Sequence, residues 1–82
     1  MQVILSNDAI KQYGHLTKPD RTKVKKKLFL LATSPYAGKK LGGEFAGIYS
    51  LRAWPYRILY SINEQEKRVE IHKIKHRQGA YN

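Results

Sequence analysis

Three consecutive runs in the second half of the chain alternate apolar with more polar residues, and this pattern constrains the fold more than any other feature. The runs cover residues 48–53, 56–62 and 69–75, and short turn segments at Trp54-Pro55 and residues 63–67 separate them. An alternation of period two places successive side chains on opposite faces of a strand. Because the turns are short, the pattern predicts three consecutive antiparallel strands.

The first half of the chain combines a short strand with two helix signals. Residues 2–5 are apolar enough to predict a strand inside the sheet. Residues 6–8, Ser-Asn-Asp, supply an N-cap for a first helix that ends at Gly14. Residues 17–20, Thr-Lys-Pro-Asp, have the form of a capping box, and they predict a second helix over residues 18–33.

The last strand contains a break in its alternation. Val69 and Ile71 share one face, whereas Ile74 falls on the other. A β-bulge near His72-Lys73 would bring the three apolar side chains to the same face. The order strand–helix–helix–strand–strand–strand then predicts a single α+β domain over residues 1–82, in which two helices pack on one face of a small antiparallel sheet and leave the other face uncovered.

The formal net charge of +10 is the strongest compositional signal. The positive excess is spread along the chain and is not confined to a tail. Such a field attracts polyanions, and nucleic acid is the commonest polyanion of the cytoplasm. A charged surface kept for solubility is the alternative, and an anionic protein partner fits either interpretation.

Several classes of protein are disfavoured by composition. The chain has no cysteine, and His15, His72 and His76 have no metal-ligand spacing with the acids, so neither a disulfide framework nor a metal or cofactor site is expected. The N-terminal residues do not resemble a signal peptide, and no apolar stretch approaches the roughly 20 residues needed to span a bilayer. A cytoplasmic location without membrane contact is therefore expected.

The uncovered face of the predicted sheet collects cations. If Tyr49 and Leu51 face the helices, Ser50, Arg52 and Arg57 face away from them. The turn at Trp54-Pro55 makes Arg52 and Arg57 neighbours on that face. The last strand would bring the side chains of residues 76 and 77 to one end of the same surface, and those of residues 39 and 40 would reach it from the glycine-rich segment 35–47.

Three stretches of the chain resemble the RelE/ParE superfamily of bacterial and archaeal toxins. They are residues 40–52 (KLGGEFAGIYSLR), residues 56–62 (YRILYSI) and the motif His76-Arg77-x-x-x-Tyr81, which lie in register within residues 39–81. The resemblance implies the predicted fold and a toxin held inactive by a partner antitoxin. In the RelE branch it implies a ribonuclease that cuts mRNA on the ribosome without metal, by attack of the ribose 2′-oxygen on the adjacent phosphate.

The resemblance also implies roles for individual residues. Arg57 and Arg77 match arginines that are expected to contact the phosphate. Tyr81 would stack on a base or assist proton transfer. His76 could act as acid or base, because histidine changes protonation near neutral pH. The expected RNA- and phosphate-binding set around them comprises Lys39, Lys40, Arg52, Lys73 and Lys75. Residues 23–27 of the second helix are basic enough to touch ribosomal RNA, although a solvated helix face explains them equally well.

Two departures from the family pattern leave the general base open. Ile48 and Ser50 stand where one branch has two lysines, and Lys39 stands where another has an acidic residue. His76, Lys39 or Lys40 would have to replace that base. The alternative is the ParE branch, whose members share the fold and inhibit DNA gyrase by binding it. In either branch the expected antitoxin is acidic and partly disordered when alone.

Overall fold

Both predicted helices form where their capping residues indicate. The computed structural model describes residues 1–77, with helix α1 at Asn7–Gly14 and helix α2 at Lys18–Thr33. The Ser6 hydroxyl accepts a hydrogen bond from the Ala9 backbone N at 3.0 Å, and the Thr17 hydroxyl accepts one from the Asp20 backbone N at 3.4 Å. Each cap satisfies a backbone donor that the first turn of a helix leaves unpaired.

Within residues 1–77, five strands form one sheet, and they include the three strands predicted from the alternating runs. Their order in the sheet is β1-β5-β4-β3-β2. A short 3-10 helix, Gly43–Phe45, precedes β3. The strands are β1 (Gln2–Leu5), β2 (Lys39–Lys40), β3 (Tyr49–Ala53), β4 (Tyr56–Asn63) and β5 (Arg68–His76).

The sheet differs from the prediction at its two edges. β1 was expected inside an antiparallel sheet, but it lies at one edge and pairs in parallel with β5 from Gln2↔Arg68 to Leu5↔Ile71. Two helices separate β1 from the rest of the sheet, so no hairpin turn forces it into an antiparallel arrangement. β2 at the other edge was not predicted, because two successive lysines carry no alternation.

A single core lies between the helices and one face of the sheet, which confirms the predicted layers. Tyr60 is fully buried there, and its hydroxyl accepts a hydrogen bond from the Gly38 backbone N and donates one to the Pro35 carbonyl, each at 2.9 Å. A Cβ on residue 38 would lie 2.6 Å from that hydroxyl, so the close approach requires glycine. The buried hydrophobic cluster comprises Ala9, Leu16, Val24, Leu31, Leu51, Ala53, Ile58, Tyr60, Val69, Ile71 and Ile74.

The bulge predicted in the last strand is confirmed. Leu59 pairs with Lys73, whereas the next residue, Tyr60, pairs with Ile71, so His72 is the extra residue of β5. The extra residue reverses the alternation of side chains beyond it, so residues 71 and 74 face the same side of the sheet. Ile71 and Ile74 therefore both reach the core, as the apolar pattern required.

Candidate functional site

Three cations form a row across the face of the sheet that points away from the helices, here called the open face. Arg52 of β3 pairs directly with Arg57 of β4, and Arg57 pairs with Lys75 of β5. Their strand neighbours Leu51 and Ile74 point into the core, which assigns these three side chains to the open face. Residues 52, 57 and 75 are called the basic row below. The strand register therefore confirms the prediction that Arg52 and Arg57 are neighbours.

The basic row places like charges directly opposite each other. Paired strands lie roughly 4.8 Å apart, and such pairs of like charges destabilise a sheet. Arg52 is exposed, whereas Arg57 and Lys75 are half-buried, which reduces the screening of their charges by water. The row therefore concentrates positive charge on the open face, where an anion such as a phosphate would be attracted.

A second row runs beside the first and carries two more of the predicted cations. In it Lys39 pairs with Ser50, Ser50 with Leu59, and Leu59 with Lys73. The Lys73 Nζ lies 3.4 Å from an Asp8 carboxylate oxygen, so part of its charge is neutralised. Ser50 is only 6% exposed, and its hydroxyl has no hydrogen-bond partner among residues 1–77.

Lys40 is separated from these cations by the register of β2. It pairs with Tyr49, whose neighbour Ser50 lies on the open face, so Lys40 belongs to the opposite face of the sheet edge. It lines a shallow hollow there with Tyr36 and Glu64. Of the two predicted lysines of β2, only Lys39 shares the open face.

His72 lies on the open face and was not assigned a role from the sequence. Its Nε2 is 2.7 Å from the Ser61 hydroxyl oxygen, and Ser61 has the same parity on β4 as Arg57. His72 stands three residues from Lys75 along β5, about 10 Å at roughly 3.3 Å per residue. The break in the apolar pattern was the available signal, because a bulge places two successive side chains, here those of His72 and Lys73, on one face.

His76 is on the other side of the sheet. It pairs with Tyr56, and the two rings are 5.5 Å apart and nearly perpendicular. The Tyr56 hydroxyl donates to an Asp20 carboxylate oxygen of α2 at 3.2 Å, and burial together with this hydrogen bond raises the pKa of Tyr56. The prediction that the His76 side chain shares a surface with Arg57 is therefore wrong, because residue 76 has the parity of the core residue Ile74.

Arg77 meets the tip of the β3–β4 hairpin. Its backbone N donates to the Pro55 carbonyl at 2.8 Å, and its guanidinium carbon lies 4.9 Å from the centre of the Trp54 ring. This contact has the geometry of a cation–π interaction. The remaining predicted site residue, Tyr81, lies outside the described residues.

No helix within residues 1–77 is both long and apolar enough to cross a membrane. Over the same residues, no three histidine, cysteine, aspartate or glutamate side chains come together as metal ligands.

Comparison with known proteins assigns the family. Residues 3–81 match the family model for the ParE toxin of the type II toxin–antitoxin system parDE. No curated protein sequence matches the chain.

Solved structures show the same fold. In the toxin–antitoxin complex RelBE2 from Mycobacterium tuberculosis, one chain is 30% identical with a TM-score of 0.85, and the alignment covers 92% of this chain and 95% of that chain. In the archaeal RelE–RelB complex from Pyrococcus horikoshii the identity is 26% and the TM-score 0.81, with 96% and 97% covered. In the intact E. coli RelBE complex the values are 25% and 0.77, with 92% and 94% covered. This chain therefore belongs to the ParE toxin family within the RelE/ParE superfamily and is the toxin component of a toxin–antitoxin system.

Proposed function

We propose that this toxin is a metal-independent, ribosome-dependent mRNA endoribonuclease, an mRNA interferase that stops translation. The observation that carries the proposal is the basic row, in which Arg57 stands between two further cations on adjacent strands of the open face. Rigid strands hold these side chains, so their positive charge is in place before a substrate binds. Preorganised charge of this kind is usually the largest contribution to transition-state stabilisation.

Arg57 is the proposed centre of phosphate binding. A guanidinium can donate two parallel hydrogen bonds to two phosphate oxygens, and it stays charged at every physiological pH. Arg52 and Lys75 flank it and would share the charge that develops on the phosphorane. As the resemblance implies, Arg77 supplies a further phosphate contact and Tyr81 stacks on a base or assists proton transfer.

His72 is the proposed proton acceptor, in place of His76, which lies on the helix side. The Ser61 hydroxyl touches the His72 Nε2, so it can pass a proton from the ribose 2′-hydroxyl to the imidazole. The 2′-oxygen then bonds to phosphorus, the bond from phosphorus to the 5′-oxygen breaks, and the Lys75 ammonium protonates that oxygen. The products are a 2′,3′-cyclic phosphate and a 5′-hydroxyl end. Lys39 binds RNA beside this centre.

The proposed protein partner is an acidic antitoxin. The three solved relatives described above are toxin–antitoxin complexes, which supports such a partner for this chain. A net charge of +10 favours an acidic segment that covers the basic row and so blocks access of RNA. The proposed site of action is the cytoplasm, where the ribosomes are.

Inhibition of DNA gyrase is the second candidate function. The match of residues 3–81 to the ParE family model favours it, since the ParE branch is the one that the resemblance connects with gyrase. In that case the toxin would act by binding the enzyme, and the basic row would need no proton acceptor near it.

The test adds purified toxin to a translation reaction and maps the ends of the message. The ribonuclease proposal expects new ends in the presence of ribosomes, with cleavage by Arg57→Gln slower by about 10²–10³, the usual loss when one transition-state donor is removed. Lys18→Gln removes the same charge from an exposed position of α2 and should cleave like the wild type. Intact message, together with cleaved DNA in a parallel gyrase reaction, would replace the first candidate with the second.

A further inference from the structure

The tip of the β3–β4 hairpin exposes the only tryptophan of the chain. Trp54 keeps 53% of its surface exposed, while the Arg77 guanidinium lies 4.9 Å from its ring centre. A single exposed aromatic residue is ordinary on a protein surface. Trp54 is unusual because several cations surround it.

A shallow groove of about 320 Å³ separates the Trp54 ring from helix α2. It is called the Trp54 groove here, and none of its lining residues is acidic. The Asp20 carboxylate accepts a hydrogen bond from the Tyr56 hydroxyl and lies 3.9 Å from the Lys23 Nζ, at the limit of an ion pair. The lining residues are Lys23, Lys26, Lys27, Leu30, Ala53 and Trp54.

The three groove lysines follow helical spacing. Positions 23, 26 and 27 are three and four residues apart, so their side chains are neighbours on one face of α2. Like charges at this spacing destabilise a helix. Together with the Arg77 guanidinium at the ring, they make the groove a positively charged surface with one large aromatic plane.

We propose that the Trp54 groove binds a nucleotide of single-stranded RNA, with its base stacked on Trp54 and its phosphates held by Lys23, Lys26 and Lys27. Stacking of bases on aromatic side chains beside a cationic track is how single strands are bound without sequence preference. The proposal rests on the proposed function, because it takes RNA as the polyanion that this toxin meets. It adds a second contact beyond the basic row.

Arg77 connects the basic row to the Trp54 groove. Arg77 is two residues beyond Lys75, and its backbone bonds to Pro55 at the hairpin tip. A strand of RNA bound by the basic row on the open face would therefore pass Arg77 and reach Trp54 at the edge of the sheet. An acidic amphipathic helix is the competing occupant. Such a helix needs several apolar anchors, and among the residues that line the groove only Leu30 and Trp54 are large exposed apolar side chains.

The test uses the fluorescence of Trp54, which needs no label because the tryptophan is unique. Wild-type toxin is titrated with a short 2′-O-methyl RNA, which cannot be cut by 2′-oxygen attack, with inorganic polyphosphate and with an acidic polyglutamate peptide. We expect the RNA to quench Trp54 and to bind about tenfold or more tightly than either other anion, since base stacking adds to charge. Equal binding of polyphosphate or tighter binding of the peptide would overturn the proposal.

Paired variants locate the binding. Lys26→Gln should weaken RNA binding several-fold, whereas Lys18→Gln, on the same helix but outside the groove, should not. Trp54→Leu should lower the affinity about tenfold or more with an unchanged thermal unfolding curve. Equal losses in the two lysine variants would also overturn the proposal. Quenching that persists without any message cleavage would keep this inference and reject the ribonuclease, and cleavage without quenching would do the reverse.

Discussion

Replacing Arg52 by glutamine should stabilise the fold slightly while it weakens binding of RNA. Arg52 is exposed on β3 and lies directly opposite Arg57 on β4. A directly opposed cross-strand pair of like charges changes stability by roughly 0.2–1 kcal/mol. Relief of this one pair should therefore raise the free energy of unfolding by about 0.2–1 kcal/mol.

The gain should be measurable by thermal unfolding followed by circular dichroism. In a domain of this size about 1 kcal/mol shifts Tm by roughly 4–8 °C, so Arg52→Gln should melt roughly 1–8 °C above the wild type. The difference should shrink in about 1 M salt, where the Debye length of about 3 Å is shorter than the separation of paired strands.

Two controls separate repulsion in the row from net charge. Arg52→Lys keeps a cation at the position and should melt like the wild type. Lys25→Gln removes one charge from an exposed helix position and should give no comparable gain. An Arg52→Gln protein that melts below the wild type at low salt would refute the reasoning, because it would mean that the guanidinium of residue 52 stabilises the sheet.

Three further outcomes are expected. Tyr60→Phe leaves the Gly38 N–H and the Pro35 carbonyl unpaired, so it should lower the free energy of unfolding in urea by about 1–3 kcal/mol. Tyr36→Phe, at an exposed position, should stay close to the wild type. Equal stabilities of the two variants would mean that the two hydrogen bonds of the Tyr60 hydroxyl do not stabilise the fold. Burial raises the pKa of Tyr60, so as the pH rises this tyrosine ionises in the unfolded chain before it ionises in the folded protein. The Tm of the wild type should therefore fall above about pH 10, and the Tm of Tyr60→Phe should fall less steeply. Parallel slopes of Tm against pH would exclude Tyr60 as the cause. Message cleavage by His72→Gln should be slower than cleavage by the wild type by about 10²–10⁴, the usual contribution of general acid–base catalysis, whereas His15→Gln, at an exposed position, should cleave like the wild type. Equal rates for His72→Gln and the wild type would exclude His72 as the base.

The sequence by itself determined the local elements. The caps at Ser6 and Thr17 place both helices, and the alternating runs place β3, β4 and β5, because these signals depend on residues a few positions apart. The pairing of Arg52 with Arg57 followed in the same way from a short hairpin. The family resemblance was also visible in the sequence.

Only the tertiary structure decided which side chains share the open face. Parity within a strand is a local property, but one extra residue reverses it for everything beyond, and the position of that residue depends on pairing with another strand. The bulge at His72 brings an imidazole to the face of Arg57, while residue 76 turns towards Tyr56. The edge position of β1 and the groove at Trp54 likewise arise from contacts between residues far apart in the chain, which no local pattern specifies.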